Sequence, residues 1–345
     1  MIILSIDTSC DDTCIAVLKI EKKKIKVLSN IVSSQIEIHK EYGGVFPSLA
    51  KREHEKNLVP VLKQALKNAR RKERFKKPDL IAVTIGPGLE PCLWVGLNFA
   101  KSLSLVWNIP LIPVNHIEGH ILANFINHIP KFPMLALIVS GGHTQLILMK
   151  KLGSYKIIGE TRDDAAGECF DKTARILGLP YPGGPNIAHW AKQFSTSSLK
   201  NPVKLPRPMM FTKDYDFSFS GLKTAVLYEY KKRDKKTRSS KKYIAEVAKE
   251  IQQSIIDVLI KKTFKAAKDY KVKTIILGGG VSANQELRKQ FKKKIAKELP
   301  KCFFSVPELK TCTDNAAMIG IAGYFNKKNA SKNPQKIKVN SNLRI

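Results

Sequence analysis

The chain has 345 residues, a length that exceeds what one hydrophobic core usually serves, so we expect two lobes. Its hydrophobic fraction of 43% is sufficient for both. No run reaches the roughly 18 consecutive apolar residues of a membrane span, and the start MIILSIDTS lacks a basic region and a cleavage site. We therefore expect a cytoplasmic protein with no membrane partner. The formal net charge is +31, but its basic runs are spread along the chain, which fits either a polyanionic partner or a general lysine bias.

The first part of the chain alternates strand and helix patterns. The apolar runs MIILSID and CIAVLKI flank the turn TSCDDT and predict a β-hairpin, which a third strand, KIKVLSNIVSS, follows. Apolar residues at helical spacing then predict a helix over 54–76, before the strand DLIAVTI, a helix near 91–107 and the strand PLIPV. Strand, helix and strand in this order are typical of an α/β fold.

The second part repeats the opening pattern. FPMLALIV, the turn SGGHT and QLILMK again read as strand, tight turn and strand, which predicts a duplicated lobe. Helices are predicted near 167–178 and 185–194 and over 243–268, before the strand VKTIIL and the turn GGGVSAN. We accordingly divide the chain into a first lobe of residues 1–130, a second lobe of residues 131–326 and a mobile basic tail of residues 327–345.

Two glycine-rich turns follow predicted strands, and each has two interpretations. Ser140, Gly141 and Gly142 follow one strand, and Gly278–Gly280 lie between a strand and a helix. Glycine lets backbone N–H groups approach a phosphate or a ribose, but it also makes ordinary tight turns. Neither turn matches the P-loop GxxxxGKS or the dinucleotide motif GxGxxG, which disfavours the common nucleotide-binding folds.

The segment NHIEGH places His116 and His120 four residues apart. On a helix, both imidazoles would face the same side and could share a metal ion, although two hydrogen-bonded structural histidines would have the same spacing. Glu118 is one position too late for the protease motif HExxH, and on a helix it would point away from the histidine pair. Asp314, at the start of a predicted helix, offers a third ligand, and two imidazoles with one carboxylate suit Fe²⁺ or Zn²⁺.

Other carboxylates cluster in turns. Asp7, Asp11 and Asp12 lie at the first hairpin, where caps or solvated groups are the common explanation. Asp171 lies within an amphipathic helical pattern and is harder to explain as a cap. A carboxylate at such a position commonly binds a ribose hydroxyl.

Together these segments resemble one family. From residue 1 to about residue 326 the chain is similar to the bacterial tRNA N6-adenosine threonylcarbamoyltransferases, formerly described as O-sialoglycoprotein endopeptidases. The resemblance rests on seven motifs in the family's order: IDTSCDDT, PVNHIEGH, LIVSGGHTQL, DDAAGECFDKTARILGLPYPGGP, FSFSGLKTAV, LGGGVSANQELR and TDNAAMIG.

The resemblance implies an α/β fold of the actin-like ATPase, sugar-kinase and Hsp70 type, with two duplicated lobes and a nucleotide cleft between them. It implies transfer of the threonylcarbamoyl group of threonylcarbamoyl-AMP to N6 of adenosine 37, in tRNAs that read codons beginning with A. Implied partners besides tRNA are a smaller inactive paralogue (TsaB-like) and a P-loop ATPase (TsaE-like). His116, His120 and Asp314 match the family's ligands for one divalent metal ion, Fe²⁺ in preference to Zn²⁺. The matching adenylate-binding positions are Ile138, Val139, Ser140, Gly141, Gly142, Asp171, Gly184 and Asn284.

We expect direct attack of the adenine amine on the carbamoyl carbon, with Asp11 or Asp12 as the candidate proton acceptor. The chain departs from the family pattern at Asp12, at Cys169 and at Glu90 with Pro91. Three rivals remain: an ATPase or phosphotransferase of the same fold, a non-catalytic nucleotide-binding scaffold, and a metallopeptidase. The first two leave the histidine pair without a role, and the position of Glu118 weakens the third.

Overall fold

The computed structural model describes residues 1–22, 24–126, 129–196 and 202–345 of the chain. The chain forms two compact units, one of Met1–Ile129 with Pro307–Ile345 and one of Pro130–Val306. No helix in the described ranges is long and apolar enough to cross a membrane.

The first unit is built on a five-stranded mixed sheet. The predicted hairpin is present: β1 pairs with β2 in antiparallel register from Ile2 opposite Lys19 to Asp7 opposite Cys14. The strand order is β3-β2-β1-β4-β5, with β4 parallel to both β1 and β5. Up to Ile129 the elements are β1 (Ile2–Asp7), β2 (Asp12–Glu21), β3 (Lys24–Ser34), α1 (Ile36–His39), α2 (Pro47–Lys72), β4 (Leu80–Gly86), α3 (Glu90–Trp107), β5 (Leu111–Asn115) and α4 (His116–Leu122).

Both faces of this sheet are covered, which explains why all six residues of β1 are buried. Successive side chains of a strand point to opposite faces. Leu4 and Ile6 pack in the hydrophobic core with residues of α2 and α3. Ser5, between them, donates a hydrogen bond to the carbonyl of Ala316. The other face is therefore covered by the chain that returns after Pro307.

The second unit repeats the topology of the first. Its sheet has the order β10-β9-β6-β7-β8, with β6 to β8 antiparallel and β9 parallel to both β6 and β10. Read from β8, this is the strand order and direction of the first sheet, so the predicted duplication is confirmed. The elements are β6 (Met134–Val139), β7 (Thr144–Lys151), β8 (Ser154–Glu160), α5 (Ala166–Ile176), α6 (Gly183–Gln193), α7 (Ser220–Lys232), α8 (Lys235–Arg238), α9 (Lys241–Asp269), β9 (Thr274–Gly278), α10 (Gln285–Glu298) and β10 (Phe303–Ser305).

The last helix, α11 (Ala316–Phe325), corrects the predicted domain boundary. Residues 307–326 belong to the first unit and not to a second lobe of residues 131–326. The physical reason is close packing against the first sheet. A Cβ at Gly320 would lie 2.5 Å from the Leu18 side chain, and one at Gly323 would lie 2.7 Å from Ala82. Small residues on α11 thus allow the helix to approach β2 and β4 closely.

Residues 327–345 are also packed, which contradicts the expected mobile tail. Ile337 and Val339 contact the core of the first unit. The Asn340 amide donates to the Ile85 carbonyl over 2.8 Å, and Ser331 bridges to Leu111 in β5. The prediction failed because the segment is mainly basic, and these few apolar and backbone contacts produce no apolar periodicity in the sequence.

Candidate functional site

The strand β5 and the helix α4 position the two histidines. Asn115 ends β5 and caps α4, since its Oδ1 atom accepts hydrogen bonds from the amides of Ile117 and Glu118. The helix then carries His116 and His120 on one side, with ring centroids 4.6 Å apart and the rings nearly perpendicular. Both histidines are buried, at 7% and 2% exposure. The predicted helical placement of the HxxxH pair is therefore present.

Asp314 joins the pair from a segment almost two hundred residues later in the chain. Its Oδ1 atom lies 3.5 Å from His116 Nε2 and 3.4 Å from His120 Nε2. The next residue, Asn315, caps α11 by accepting a hydrogen bond from the Met318 amide, which fixes the backbone beside Asp314. One potential ligand atom from each of the three residues lies within 4.8 Å of the others.

Asp7 and Ser9 hold the far side of the His116 ring. Asp7 Oδ2 lies 3.3 Å and Ser9 Oγ 3.1 Å from His116 Nδ1, which leaves Nε2 directed towards Asp314. A carboxylate on the outer nitrogen is the usual way in which proteins orient a metal-binding imidazole. Sequence reasoning noted Asp7 but gave it no role and missed Ser9. The sequence signal that could have indicated this role is the motif IDTS, in which Asp7 ends β1 and Ser9 follows two residues later.

The cluster fits a divalent metal ion on two grounds. His120 Nε2 is buried and has no hydrogen-bond partner among the described residues, a costly state unless the atom has another ligand. Its 3.4 Å separation from Asp314 is within ion-pair range but lacks hydrogen-bond geometry. Two imidazoles and one carboxylate also form a donor set that suits Fe²⁺ or Zn²⁺.

The pKa values of the two histidines shift in opposite directions. Burial acts to lower the pKa of His116, but Asp314 and Asp7 outweigh burial and raise it to about 10. Burial lowers the pKa of His120 and is the larger influence there. Burial alone would raise the pKa of Asp314, and the two adjacent histidines instead hold it well below its usual range. In the absence of a metal ion, His116 is therefore protonated at neutral pH and carries the positive charge that balances Asp314 and Asp7.

Glu118 is turned to a different partner. Its Oε2 atom accepts a hydrogen bond of 2.7 Å from Asn326 Nδ2. The side chain is thereby engaged with the end of α11. This contact agrees with the sequence-based expectation that Glu118 would point away from the histidine pair.

Asp11 and Asp12 lie at the turn between β1 and β2, in the same unit as His116, His120 and Asp314. Burial raises the pKa of Asp12 to about 7, and its Oδ1 atom is buried without a hydrogen-bond partner among the described residues. Burial is also the largest cause that raises the pKa of Asp11, followed by the charge of Asp314. Asp12 is thus a carboxylate that changes its protonation near neutral pH.

The glycine turns of the second unit lie at the carboxyl ends of neighbouring parallel strands. Ile138 of β6 is opposite Gly278 of β9, so the turns that follow the two strands are adjacent. A Cβ at Gly141 or Gly142 would meet no atom within 4 Å. At Gly279, with a φ of +83°, a Cβ would instead collide with the Val139 carbonyl. Chain packing therefore explains Gly279, whereas the Cβ positions of Gly141 and Gly142 are open.

The other predicted adenylate positions surround these turns. Ile138 and Val139 are fully buried strand residues, and the Ser140 amide donates to the His143 carbonyl to close the first turn. Asp171 Oδ1 accepts a hydrogen bond of 2.7 Å from the Gly183 amide, and a Cβ at Gly184 would meet no atom within 4 Å. Asn284 has structural partners on both sides of its amide: it caps α10 by accepting from the Leu287 amide and donates to Gln252 Oε1.

Comparison with known proteins places the chain in a family. The family model described as "TsaD: tRNA N6-adenosine threonylcarbamoyltransferase" matches residues 26–321. The chain belongs to this family. A relative of that name from Thermosipho africanus is 49% identical over 347 residues, which cover all of both chains. One from Thermosipho melanesiensis is 50% identical over 325 residues, 94% of each chain.

Solved structures identify the fold of this threonylcarbamoyltransferase family member as the actin-like ATPase and sugar-kinase fold. Full-length HypF in a phosphate- and nucleotide-bound form superposes with a TM-score of 0.59 at 14% identity, over 94% of this chain and 55% of that one. ROK hexokinase from Thermus thermophilus gives a TM-score of 0.50 at 13% identity, over 95% of this chain and all of the other. The fold class expected from the sequence is confirmed.

Two departures from the family pattern are accommodated locally. Glu90 is the first residue of α3, and Pro91 lies in its first turn, where a missing backbone N–H costs no helical hydrogen bond. Cys169 is fully buried in the core of the second unit, and its Sγ atom lies 3.7 Å from the Phe219 carbonyl. Neither departure involves a residue of the cluster of His116, His120 and Asp314.

Proposed function

We propose that this family member transfers the threonylcarbamoyl group of threonylcarbamoyl-AMP to N6 of adenosine 37, in tRNAs that read codons beginning with A. In this reaction a bond forms between N6 and the carbamoyl carbon, and the bond from that carbon to the phosphate oxygen breaks to release AMP. The N6 atom gives up one proton. Because AMP is a good leaving group, the reaction needs no covalent enzyme intermediate.

The observation that carries this proposal is the cluster of His116, His120 and Asp314. A phosphotransferase or a scaffold of the same fold would have no use for three convergent ligand groups, two of them buried histidines, of which one has a nitrogen with no hydrogen-bond partner among the described residues. The N6 amine is a weak nucleophile because its lone pair is delocalised into the ring. A bound metal ion would supply the Lewis acidity that makes a carbamoyl carbon more electrophilic.

Within this proposal, the metal ion is Fe²⁺, with Zn²⁺ as the alternative. Both ions accept two imidazoles and a carboxylate as ligands. Asp7 and Ser9 would hold the His116 ring with its Nε2 atom available to the ion. Elemental analysis of protein purified without oxygen is expected to give about one iron per chain. One zinc per chain under those conditions would contradict the preference for iron.

The adenylate would bind at the glycine turns of the second unit. The space around Gly141 and Gly142 would let the phosphate or ribose reach the backbone of the first turn. Asp171 already holds the start of α6 through the Gly183 amide, so its role would be to fix the backbone next to Gly184. Ile138, Val139 and Asn284 would contribute the walls of this site rather than charged contacts.

Asp12 is the better candidate to accept the N6 proton. A general base works best when its pKa lies near the working pH, and burial brings the pKa of Asp12 to about 7. Asp12→Asn should lower kcat by about 100-fold and abolish the rise of the rate with pH near 7. An unchanged pH profile in that variant would remove Asp12 from this role and leave Asp11.

The proposed partners are tRNA, a smaller inactive paralogue (TsaB-like) and a P-loop ATPase (TsaE-like). The direct test combines the purified protein with both partners, an adenylate-forming enzyme, threonine, bicarbonate, ATP and unmodified tRNA. Digestion of the tRNA should release threonylcarbamoyladenosine. His120→Ala should release none, while the same mixture with a homologue of known activity serves as the positive control. Failure of the wild-type protein in a mixture where that homologue succeeds would refute the proposed function.

A further inference from the structure

The loop before α7 presents an unusually exposed aromatic ring. Phe211 is 81% exposed, more than any other aromatic side chain in the described part of the chain. Exposure of a phenyl ring to water is unfavourable, although singly exposed apolar side chains are normal on protein surfaces. The contacts of the loop decide whether its backbone is fixed with Phe211 directed into solvent.

Buried contacts hold this loop in place. Lys262, only 1% exposed, donates hydrogen bonds to Thr212 Oγ1 over 2.6 Å and to the Asp214 carbonyl over 2.9 Å. Arg162 contacts the other side of the Asp214 carboxylate at 3.0 Å. Met209, two residues before Phe211, has a φ of +52°, which a residue with a side chain seldom adopts. A buried charge and a left-handed residue therefore fix the backbone on both sides of the exposed ring.

Lysines line the same hollow as the ring. Lys261, Lys265 and Lys268 recur at spacings of four and three residues and so share one side of α9. The Lys261 ammonium lies 5.8 Å from the Phe211 ring centroid. Together with two further lysines they line a hollow of about 510 Å³, and we call the following residues the Phe211 surface: Phe211, Lys213, Lys261, Lys265, Lys268 and Lys294.

The carboxylates in this hollow are already engaged. Glu298 accepts from Lys268 over 2.6 Å and lies 2.7 Å from Lys294, and these lysines lower its pKa to about 2. Asp269 accepts a hydrogen bond of 2.7 Å from the Tyr215 hydroxyl. Lys213 and Lys261 form no ion pair within 4.0 Å among the described residues. The hollow therefore offers positive charge beside an aromatic face.

We propose that the Phe211 surface binds an unpaired segment of tRNA, with one base stacked on Phe211 and with Lys213, Lys261 and Lys265 at neighbouring phosphates. This inference rests on the proposed function, which supplies tRNA as the substrate. Stacking of bases on aromatic rings and lysines along the backbone are the two means by which proteins bind single-stranded nucleic acid. A paired RNA helix keeps its bases stacked and would leave Phe211 without a partner.

A second basic surface of the molecule provides a matched control. Lys63, Lys67, Arg70 and Arg71 line a hollow on α2, and no exposed aromatic ring lies among its lining residues. Lys63 and Lys67 are four residues apart on a helix, as are Lys261 and Lys265 on α9. The two lysine pairs thus allow the same change of charge at the same spacing on two surfaces.

The test measures the affinity of the purified protein for an unmodified tRNA transcript as a function of salt. Phe211→Ala should raise Kd about five-fold or more, and Phe211→Trp should restore the affinity. Lys261→Gln with Lys265→Gln should weaken binding and reduce the slope of log affinity against log salt by about 1.4. Lys63→Gln with Lys67→Gln should change the slope by much less. Because Phe211 is exposed, its variants should unfold at the wild-type temperature.

Equal affinities of the wild-type and Phe211→Ala proteins for the tRNA would overturn the proposal, and so would equal loss of affinity in the two lysine variants. Binding of a protein partner that depends on Phe211, with tRNA affinity unchanged, would also overturn it. The binding measurement does not depend on catalysis. If the wild-type protein binds tRNA through Phe211 but forms no threonylcarbamoyladenosine, the proposed function alone is refuted. If the wild-type protein modifies tRNA, and the Phe211→Ala protein binds tRNA as tightly as the wild type, this surface alone is refuted.

Discussion

The first unit contains two kinds of buried histidine, and the difference between them lies in their partners rather than in their burial. His39 and His54 are fully buried, and both nitrogens of each ring have hydrogen-bond partners. His116 and His120 are almost as deeply buried but face Asp314, and His120 Nε2 has no hydrogen-bond partner in the described structure. A buried histidine with an unused nitrogen beside a carboxylate therefore indicates a ligand site, whereas a satisfied one indicates a structural role.

The largest expected effect separates the two kinds directly. His120→Ala should abolish metal binding and lower transferase activity by more than about 100-fold, above the loss that an outer partner of a ligand usually causes. His54→Ala should retain the metal but lower the free energy of unfolding by about 1–3 kcal/mol, since the Cys10 carbonyl and the Thr13 hydroxyl lose their partner. Metal analysis and thermal unfolding of both variants check this. A metal-free His54→Ala protein would contradict the distinction.

A smaller effect is expected for the residue that orients His116. Asp7→Asn keeps the size of the side chain but removes the charge beside Nδ1, so metal affinity should fall by about 10- to 100-fold. Competition with a chromophoric chelator measures this loss without an activity assay. Ser9→Ala, which removes a neutral partner of the same nitrogen, should cost less. Unchanged affinity in Asp7→Asn would mean that packing alone orients the ring.

The pH dependence of metal binding should follow from the proton on His116. In the metal-free protein, Asp314 and Asp7 raise the pKa of His116 to about 10, so below that pH a metal ion must displace one proton. Metal affinity should therefore rise with pH, by about ten-fold per unit near neutrality if one proton is released. Chelator competition at several pH values between 6 and 8 measures the slope. Affinity that does not vary with pH would show that the ligand nitrogens are neutral before binding.

The smallest effect concerns the residue that caps α4, the helix that carries His116 and His120. Asn115→Ala removes the cap from Ile117 and Glu118 and should lower the free energy of unfolding by about 0.5–2 kcal/mol. Asn115→Asp keeps an acceptor at this position and should lose less. Denaturant unfolding of the two variants provides the comparison. Equal losses would show that the hydrogen bond from Asn115 Nδ2 to the Leu343 carbonyl matters more than the cap.

Local patterns were sufficient to predict much of this structure. The hairpins β1–β2 and β6–β7 and the helical HxxxH segment depend on neighbours within a few residues, and the sequence spacing predicted each of them. Asp314 was proposed as the third ligand from its place at the start of a predicted helix, and the resemblance to the family implied the same role. What was missed depends on contacts between distant residues. The hydrogen bond between Ser9 and His116 spans 107 positions and leaves no periodic signal. The basic segment after Phe325 shows its packing through two apolar residues and backbone bonds, too few to predict from composition.

The return of α11 to the first sheet has a consequence for the order of folding during synthesis. The second unit is continuous in sequence, so all of its strands are available once Val306 has been made. The first unit lacks the helix that covers one face of its sheet until α11 follows, more than three hundred residues after β1. Until α11 has been made, the face of the first sheet that this helix covers has no helix against it. Since Asp314 arrives on the same late segment, the three candidate metal ligands can meet only when the chain is nearly complete.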